Sequence, residues 1–219
     1  MKTITFIRHA ESVANAGGIT MPHDAIPLSA LGHRQAAVLA TALNVEPSAV
    51  FVSCFIRTHE TATPFCNRHA VTPQIHHSLH EFSVIDPVLI EGMDGAQRKP
   101  LVKDYWDNPD PHRRLGHNAD TFAEFEAHVR SFMVNMETML DGTVVFGHGI
   151  WFGLLHWLSL GYRVSDAGEM RAFRRFQQAL PMPNCATFAL AHAGGQRWSI
   201  RADTTLMHRI AAVKIPDLS

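Results

Sequence analysis

Three short apolar runs of the sequence are each followed by side chains that bind anions or transfer protons. Arg8 and His9 follow the first run, Arg57 comes shortly after the second, and His148 lies between two glycines after a later one. A guanidinium group binds phosphate or carboxylate oxygens in bidentate geometry, and a neutral imidazole nitrogen is a nucleophile or a base. This combination suits the binding and attack of a phosphate monoester.

The apolar runs predict the strands that position these side chains. Residues 3–7 are mostly β-branched or aromatic, and residues 49–53 and 143–146 are similar runs. Ser29 is a typical N-cap residue, and leucine and alanine follow it at helical spacing to residue 43. This pattern predicts a helix within a β-α-β unit with parallel strands. Ligands bind where the carboxyl ends of such strands meet. We therefore expect a three-layer α/β/α sandwich with a mainly parallel sheet, and one pocket that contains all four side chains.

The residue types also suggest roles in catalysis. His9 is the candidate nucleophile, provided that a hydrogen bond to its other ring nitrogen fixes the tautomer. Glu81 is the candidate proton donor to the leaving alkoxide, which requires that burial raise its pKa. Glu11 is a competing carboxylate, although its place at a helix start favours a structural role. Arginines can stabilise the charge that develops, so we expect neither a metal ion nor another cofactor.

The rest of the chain reads as further parts of one domain over residues 1–219. Residues 83–118 mix proline, glycine and charged residues, and we interpret them as an excursion with a short helix near 99–106 that caps the pocket. Four basic residues of this segment either contact a second anionic group or form solvated surface: Arg98, Lys99, Arg113 and Arg114. The other predicted elements are a strand at 74–78, a helix beginning at a capping box of Thr121 and Glu124, helices at 150–160 and 167–178, and a hairpin of strands at 184–192 and 196–202 joined through Gly194 and Gly195.

Composition excludes several classes of protein. The net charge of −1 creates no field that attracts nucleic acid or membrane, and three widely spaced cysteines predict neither a disulfide framework nor a zinc site. The apolar stretch 149–160 is too short to cross a bilayer, and no signal sequence is evident at the start. We expect a cytoplasmic protein whose partner is a small phosphate monoester, and the sequence leaves a homodimer open.

Five motifs in order resemble those of the histidine phosphatase superfamily, also called phosphoglycerate mutase-like. The segment from Arg8 to Asn15 is similar to R-H-G-E-S-x-x-N, and Leu28 to Ala36 is similar to L-[ST]-x-x-G-x-x-Q-A. The segment from Ser53 to Ala62 resembles S-x-x-x-R-x-x-x-T-A. Leu79-x-Glu81 resembles the motif that bears the catalytic acid, and Gly147-His148-Gly149 the motif that bears the second histidine.

The resemblance implies a phosphoglycerate mutase-like fold and a role for each matching residue. His9 would be phosphorylated, and Arg8, Arg57 and His148 would bind the phosphoryl group, with Asn15 assisting. Glu81 would donate a proton and then act as the base for the water that hydrolyses phosphohistidine.

The sequence departs from the family pattern at three places. Ala10 replaces the usual glycine, His59-Glu60 stands where many members have an Ala-x-Gln type sequence, and Phe82 begins a segment that replaces the common G-x-W-E-G. The segment after Glu81 also lacks the long basic and aromatic insertion of the glycolytic mutases. A metal-independent phosphatase is therefore favoured, with mutase-type phosphoryl transfer or a noncatalytic phosphate-binding relative as alternatives.

Two rival classes rest on weaker signals. The G-x-G-x-x-x-G spacing that starts at Gly147 resembles a dinucleotide fingerprint, but His148, Trp151 and Phe152 crowd the turn. Fifteen histidines raise the alternative of a metal hydrolase, although H-E-x-x-H and Cys-x-x-Cys are both absent.

Overall fold

The computed structural model describes residues 2–192 and 198–214, and within these ranges it contains one mixed sheet flanked by helices. The six strands found there are β1 Lys2–Arg8, β2 Ala49–Val52, β3 Gln74–Ile75, β4 Thr143–Gly147, β5 Thr187–His192 and β6 Trp198–Ala202. The seven α-helices are α1 Ala30–Ala42, α2 Ile56–His69, α3 Gly95–Asp107, α4 Phe122–Met136, α5 Gly149–Ser159, α6 Ala167–Ala179 and α7 Thr204–Ala211. Two short 3-10 helices cover His77–Leu79 and Pro87–Ile90.

The strand order β3-β2-β4-β1-β5-β6 places β4 between the two strands of the predicted β-α-β unit. The pairs β2–β3, β2–β4 and β1–β4 are parallel, whereas β5 runs antiparallel to both β1 and β6. The predicted mainly parallel sheet is therefore confirmed.

The sheet separates two apolar cores, as the alternation of side chains along β1 requires. Ile4 and Phe6 pack on one face with residues of α4, α5 and α6. Ile7 faces the other side, where it packs with residues of α1, α2 and α7 such as Leu39 and Phe65. This arrangement is the predicted three-layer α/β/α sandwich.

Local signals at two helix starts have the predicted geometry. The Ser29 hydroxyl accepts a hydrogen bond from Gly32 N–H at 3.0 Å and so caps α1. Thr121 and Glu124 form the reciprocal capping box of α4.

Several boundaries differ from prediction. The strand predicted at 74–78 is limited to Gln74–Ile75 because the chain winds into the 3-10 helix His77–Leu79. Helix α3 is longer than predicted, since Asp94 and Gln97 form a capping box that starts it earlier. Strand β5 begins at Thr187 and not at residue 184, and α7 was not predicted. The predicted hairpin turn at Gly194 and Gly195 lies outside the described residues.

Candidate active site

The six predicted site residues meet at the carboxyl edge of the sheet. Five of them line one cavity of about 440 Å³, namely Arg8, His9, Asn15, Arg57 and Glu81. The sixth, His148, is fully buried, with its ring centroid 5.3 Å from that of His9. They come together because β1, β2 and β4 run parallel side by side, so the chain leaves all three strands at one edge.

The backbone carbonyl of the next residue holds the His9 ring in a single tautomer. Its Nδ1 atom lies 2.7 Å from the carbonyl oxygen of Ala10. A carbonyl oxygen can only accept, so Nδ1 carries the proton and the Nε2 atom of the neutral ring keeps its lone pair. Burial, reinforced by the charges of Arg57 and Arg8, holds the pKa of His9 well below its usual value. The ring is therefore in the form that a nucleophile requires.

The backbone around His9 is fixed from three directions. The His9 N–H donates to Gly147 O at 2.9 Å, and the His9 carbonyl accepts from Cys185 N–H at 3.3 Å. The N–H of Ala10 donates to the Thr61 hydroxyl at 3.0 Å. These contacts tie the residue to β4, α2 and the segment before β5.

Glu11 anchors α1 against the segment that carries His9. Its Oε1 atom accepts from the Ser29 hydroxyl at 2.7 Å, and its N–H donates to Gln35 Oε1 at 2.9 Å. A Cβ at Gly32 would lie 1.9 Å from the Glu11 carbonyl oxygen, so this close approach requires glycine. The structural role favoured for Glu11 agrees with this geometry.

Arg8 extends from β1 towards the segment between α6 and β5. Its Nη1 atom donates to the Met182 carbonyl, and its backbone N–H donates to Ala186 O at 2.9 Å. Within the described part of the chain, the buried Nε–H of Arg8 has no hydrogen-bond acceptor. Because a buried donor without a partner is unfavourable, an anionic oxygen bound in the cavity would satisfy it.

Arg57 is 7% exposed and points both of its terminal nitrogens at fixed acceptors. Nη1 donates to the His23 carbonyl at 2.7 Å, and Nη2 donates to His148 Nδ1 at 3.3 Å. The guanidinium lies 4.6 Å from the centroid of the Phe55 ring. Burial lowers the pKa of Arg57 to about 10, so the side chain remains cationic at neutral pH.

His148 is neutral and serves as an acceptor for Arg57. An arginine can only donate, so Nδ1 of His148 is unprotonated and the proton lies on Nε2, 2.8 Å from the Ser53 hydroxyl. Ser53 Oγ in turn accepts from Phe55 N–H at 3.1 Å and lies 3.1 Å from Thr58 Oγ1. Burial is the main reason that the pKa of His148 lies well below its usual value. In this state His148 orients Arg57.

Glu81 lies at the amino end of α5. Its Oε1 atom accepts from the N–H groups of Trp151 and Phe82, and its Oε2 atom accepts from Ile150 N–H, all at 3.0 Å. Burial raises the pKa of Glu81, and this effect outweighs the amide hydrogen bonds and the charge of Arg57, which lower it. A raised pKa is what a carboxyl group needs to act as a general acid.

Asn15 stands at the solvent side of the cavity, where its side chain is exposed. Its Oδ1 atom accepts from Ser12 N–H at 3.3 Å, and its own N–H donates to the Ser12 hydroxyl at 3.2 Å. An amide has a second, donating end. The nitrogen of Asn15 is therefore available for an anion.

Sequence reasoning missed three groups of this site. His23 lines the cavity, and its carbonyl holds Arg57. Ser53 fixes the tautomer of His148, and the carbonyl of Met182 holds Arg8. Two of these contacts use backbone oxygens, which carry no sequence signal, and His23 lies in a stretch whose glycines and prolines indicate only a loop.

Two further observations concern the described residues alone. In residues 2–192 and 198–214, no three His, Cys, Asp or Glu side chains are arranged to hold a metal ion. No helix within the same ranges has the length and apolar character needed to cross a membrane. The cytoplasmic location stays a prediction.

Comparison with solved structures shows what this fold is similar to. The alpha-ribazole phosphatase from Shigella flexneri superimposes with a TM-score of 0.71 at 21% identity over 91% of this chain and 95% of that one. The mycobacterial glucosyl-3-phosphoglycerate phosphatase gives a TM-score of 0.69 at 20% identity over 93% and 98%. A phosphoserine phosphatase from Entamoeba histolytica gives 0.68 at 16% identity over 91% and 95%.

Sequence comparison gives one partial match and one match over most of the chain. The PE-PGRS family protein PE_PGRS11 of Mycobacterium tuberculosis is 36% identical over 83 residues, which are 36% of this chain and only 14% of that protein. The family model described as the histidine phosphatase superfamily (branch 1) matches residues 4–201. At the level of the family, this match confirms the predicted enzyme class, a phosphatase of the histidine phosphatase type. The chain belongs to the histidine phosphatase superfamily.

Proposed function

We propose that the protein is a metal-independent phosphomonoester hydrolase that acts on a small phosphorylated metabolite through a phosphohistidine at His9. The observation that carries the proposal is the tautomer of His9. Because Nδ1 donates to the Ala10 carbonyl, the free lone pair is on Nε2 of a residue that lines a cavity with two arginines. A neutral nucleophile beside fixed cations suits attack on a phosphate dianion.

In the first step, the Nε2 lone pair of His9 attacks phosphorus and the bond from phosphorus to the ester oxygen breaks. Arg8 and Arg57 stabilise the nonbridging oxygens, and one of these oxygens satisfies the buried Arg8 Nε–H. Glu81, in the protonated form that burial favours by raising its pKa, gives its proton to the leaving oxygen. The alcohol departs and phosphohistidine remains.

In the second step, water attacks phosphorus and the nitrogen–phosphorus bond breaks. Glu81, now a carboxylate stabilised by three amide N–H groups, accepts the proton of the water. Inorganic phosphate leaves, and both His9 and Glu81 return to their starting forms. The neutral His148 supports both steps as the acceptor that orients Arg57.

Residues 83–118 are proposed to cap this cavity. Val102 of α3 lines it together with Phe82, which precedes the segment. Trp106 does not reach the cavity, because it packs among the core aromatic rings of Phe82 and Phe122. The segment thus contributes a wall of the pocket through one face of α3.

The three structural neighbours are named for different substrates, but each name describes a phosphatase. This agreement supports hydrolysis of a phosphate ester. Mutase-type transfer and noncatalytic phosphate binding remain the alternatives, and product analysis separates them from hydrolysis.

The test is hydrolysis of p-nitrophenyl phosphate in excess EDTA by the wild type, His9→Ala and His33→Ala, with p-nitrophenol and inorganic phosphate both measured. His33 is an exposed residue of α1 and controls for the loss of an imidazole. We expect equal release of both products by the wild type and His33→Ala and none by His9→Ala. Equal activity of all three proteins, or activity abolished by EDTA, would contradict the proposal.

A further inference from the structure

A second cavity of about 560 Å³ adjoins the first one. The two cavities share His23, Phe55 and Glu81 as lining residues. If Glu81 protonates the leaving oxygen, as the proposed function states, it stands beside the bond that joins phosphorus to the alcohol. The alcohol part of the substrate then extends past Glu81 into the second cavity.

The wall of the second cavity is acidic. Besides Glu81, three aspartates line it: Asp24, Asp86 and Asp120. Among its described lining residues there is no lysine or arginine. The electrostatic character is therefore opposite to that of the first cavity, which contains Arg8 and Arg57.

Two of these carboxylates are fixed in place. Asp86 accepts from Asn118 N–H at 2.9 Å and from Val88 N–H at 3.0 Å, and Asp120 accepts from Ser83 N–H at 2.8 Å. Hydrogen bonds from amides favour the charged form of a carboxylate.

Three histidines also line the wall, namely His23, His77 and His80, and His80 lies against one of the carboxylates. His80 lies 3.7 Å from Asp120, and its protonated form compensates one negative charge at most. Asp24 and Asp86 keep the wall negative, and Asp24 is exposed there to an incoming ligand.

The four basic residues of the 83–118 segment considered as contacts for a second anionic group lie outside the lining of both cavities. Arg98 donates to the Gly18 and Met93 carbonyls, Arg113 pairs with Asp104, and Arg114 pairs with Glu124. Lys99 is exposed, and neither cavity has any of these four side chains in its described lining. The alternative that they contact a second anionic group of the substrate is therefore not supported.

We infer that the alcohol part of the substrate is uncharged or cationic, and that the second cavity selects against esters whose alcohol carries a carboxylate or another phosphate. The ligand has its anionic end against Arg8 and Arg57 and its neutral or positive end against Asp24 and Asp86. The Phe55 ring, shared by both cavities, offers an apolar contact for the carbon skeleton between the two ends. This inference rests on the proposed function.

The test compares kcat/KM for two primary alkyl phosphates, glycerol 3-phosphate and 3-phosphoglycerate, which differ only in a terminal hydroxymethyl or carboxylate group. Phosphoethanolamine serves as the cationic ester and p-nitrophenyl phosphate as the reference for phosphatase activity. One repulsion between like charges at about 6 Å, in an effective dielectric of about 20 to 80, lowers kcat/KM by a factor of about 3 to 100. We expect 3-phosphoglycerate to be the poorest of the alkyl esters by about tenfold or more.

Charge reversal on the wall of the second cavity is the more specific of the two experiments. Asp24→Lys is compared with Glu46→Lys, which changes the net charge equally but lies before β2, at the opposite edge of the sheet. Effects on the phosphate site cancel in the ratio of kcat/KM for 3-phosphoglycerate to that for glycerol 3-phosphate. We expect Asp24→Lys to raise this ratio about tenfold and Glu46→Lys to leave it within about twofold. Val88→Lys is the second variant, since Val88 lines the same cavity and is 67% exposed.

The outcomes separate the inference from the proposed function. If p-nitrophenyl phosphate is hydrolysed but 3-phosphoglycerate is turned over as well as glycerol 3-phosphate, the inference is wrong and the phosphatase stands. An unchanged ratio in both Asp24→Lys and Val88→Lys also overturns it. If no ester is hydrolysed at all, the proposed function fails and the inference fails with it.

Discussion

The substitution Glu81→Gln separates two roles of one carboxyl group. The group accepts backbone N–H groups at the start of α5, and it is proposed to donate a proton to the leaving oxygen. The carboxylate accepts three backbone N–H groups, two through Oε1 and one through Oε2. A glutamine has the same shape, but only its oxygen accepts. If that oxygen takes the place of Oε1, the amide NH₂ faces the N–H of Ile150, and two donors meet. A protonated glutamic acid avoids this conflict because its hydroxyl oxygen still accepts.

The expected loss of stability follows from these contacts. One hydrogen bond to a charged group contributes about 1.5 to 3 kcal/mol, and a negative charge at a helix amino end contributes about 0.3 to 1 kcal/mol. Glu81→Gln should therefore lower the free energy of unfolding by about 2 to 4 kcal/mol. For a domain of this size that corresponds to a fall in Tm of about 4 to 16 °C.

The expected loss of activity depends on the leaving group. An alkyl phosphate releases a strongly basic alkoxide, so loss of the general acid should lower kcat/KM about 10²- to 10⁴-fold. p-Nitrophenolate needs little protonation, so kcat/KM for p-nitrophenyl phosphate should fall less than about tenfold. The constant kcat/KM is compared because it covers the steps up to release of the alcohol and not the later attack by water, in which Glu81 is the base for both esters. The assay measures both esters at a temperature where the variant is folded, with Tm from thermal unfolding.

Glu124→Gln is the matched control, because Glu124 also accepts a backbone N–H at a helix start, that of Thr121 at 2.9 Å, but lies away from the cavity. It should lose some stability and no activity. If Glu81→Gln lowered kcat/KM for both esters by the same factor, Glu81 would be a positioning residue and the assignment of the acid would be wrong.

Three further predictions follow from the same geometry. Arg57→Lys removes the planar fork that contacts the His23 carbonyl and His148, and kcat/KM should fall about 10- to 100-fold; a loss under twofold in steady-state assays would contradict the clamp. The pKa of His148 is lower in the folded protein than in the unfolded chain. Below the usual pKa of histidine the unfolded chain therefore binds more protons, so the free energy of unfolding falls as pH falls. His148→Asn should therefore make stability fall less between about pH 7.5 and about pH 5.5, by up to about 1.4 kcal/mol in urea titrations, and an unchanged pH dependence would refute this. Because the pKa of His9 is depressed, kcat/KM should stay high below the usual pKa of histidine, and it should fall as pH rises through the raised pKa of Glu81. Glu81→Gln should abolish the fall of kcat/KM at high pH, and persistence of that fall would contradict the assignment of Glu81.

Local signals in the sequence were sufficient for much of the fold. Ser29 and Thr121 start helices as predicted because an N-cap depends on residues within one helical turn. The ends of β1 and β4 could be predicted because runs of β-branched and aromatic residues stop abruptly at Arg8 and before His148. The parallel order of the strands then brings these residues together.

Contacts between residues far apart in sequence could not be predicted from local signals. Glu81 accepts from the amides of Ile150 and Trp151, and this pairing depends on how the segment after His77–Leu79 packs against the start of α5, which is far away in sequence. The carbonyl of Met182, in the irregular segment between α6 and β5, reaches Arg8 from a position 174 residues away in sequence. Backbone oxygens are the same in every residue, so no residue type identifies the ones that complete a site.

The central claim is that the Nε2 atom of His9 takes the phosphoryl group. The most direct measurement mixes the enzyme with a phosphate ester, quenches in base, which preserves phosphohistidine, and identifies the modified peptide by mass spectrometry. We predict the added mass of one phosphoryl group on the peptide that contains His9 in the wild type and in Glu81→Gln, and its absence in His9→Ala. A phosphoryl group on another residue, or turnover with none trapped on His9 when hydrolysis is slowed in Glu81→Gln, would contradict the account.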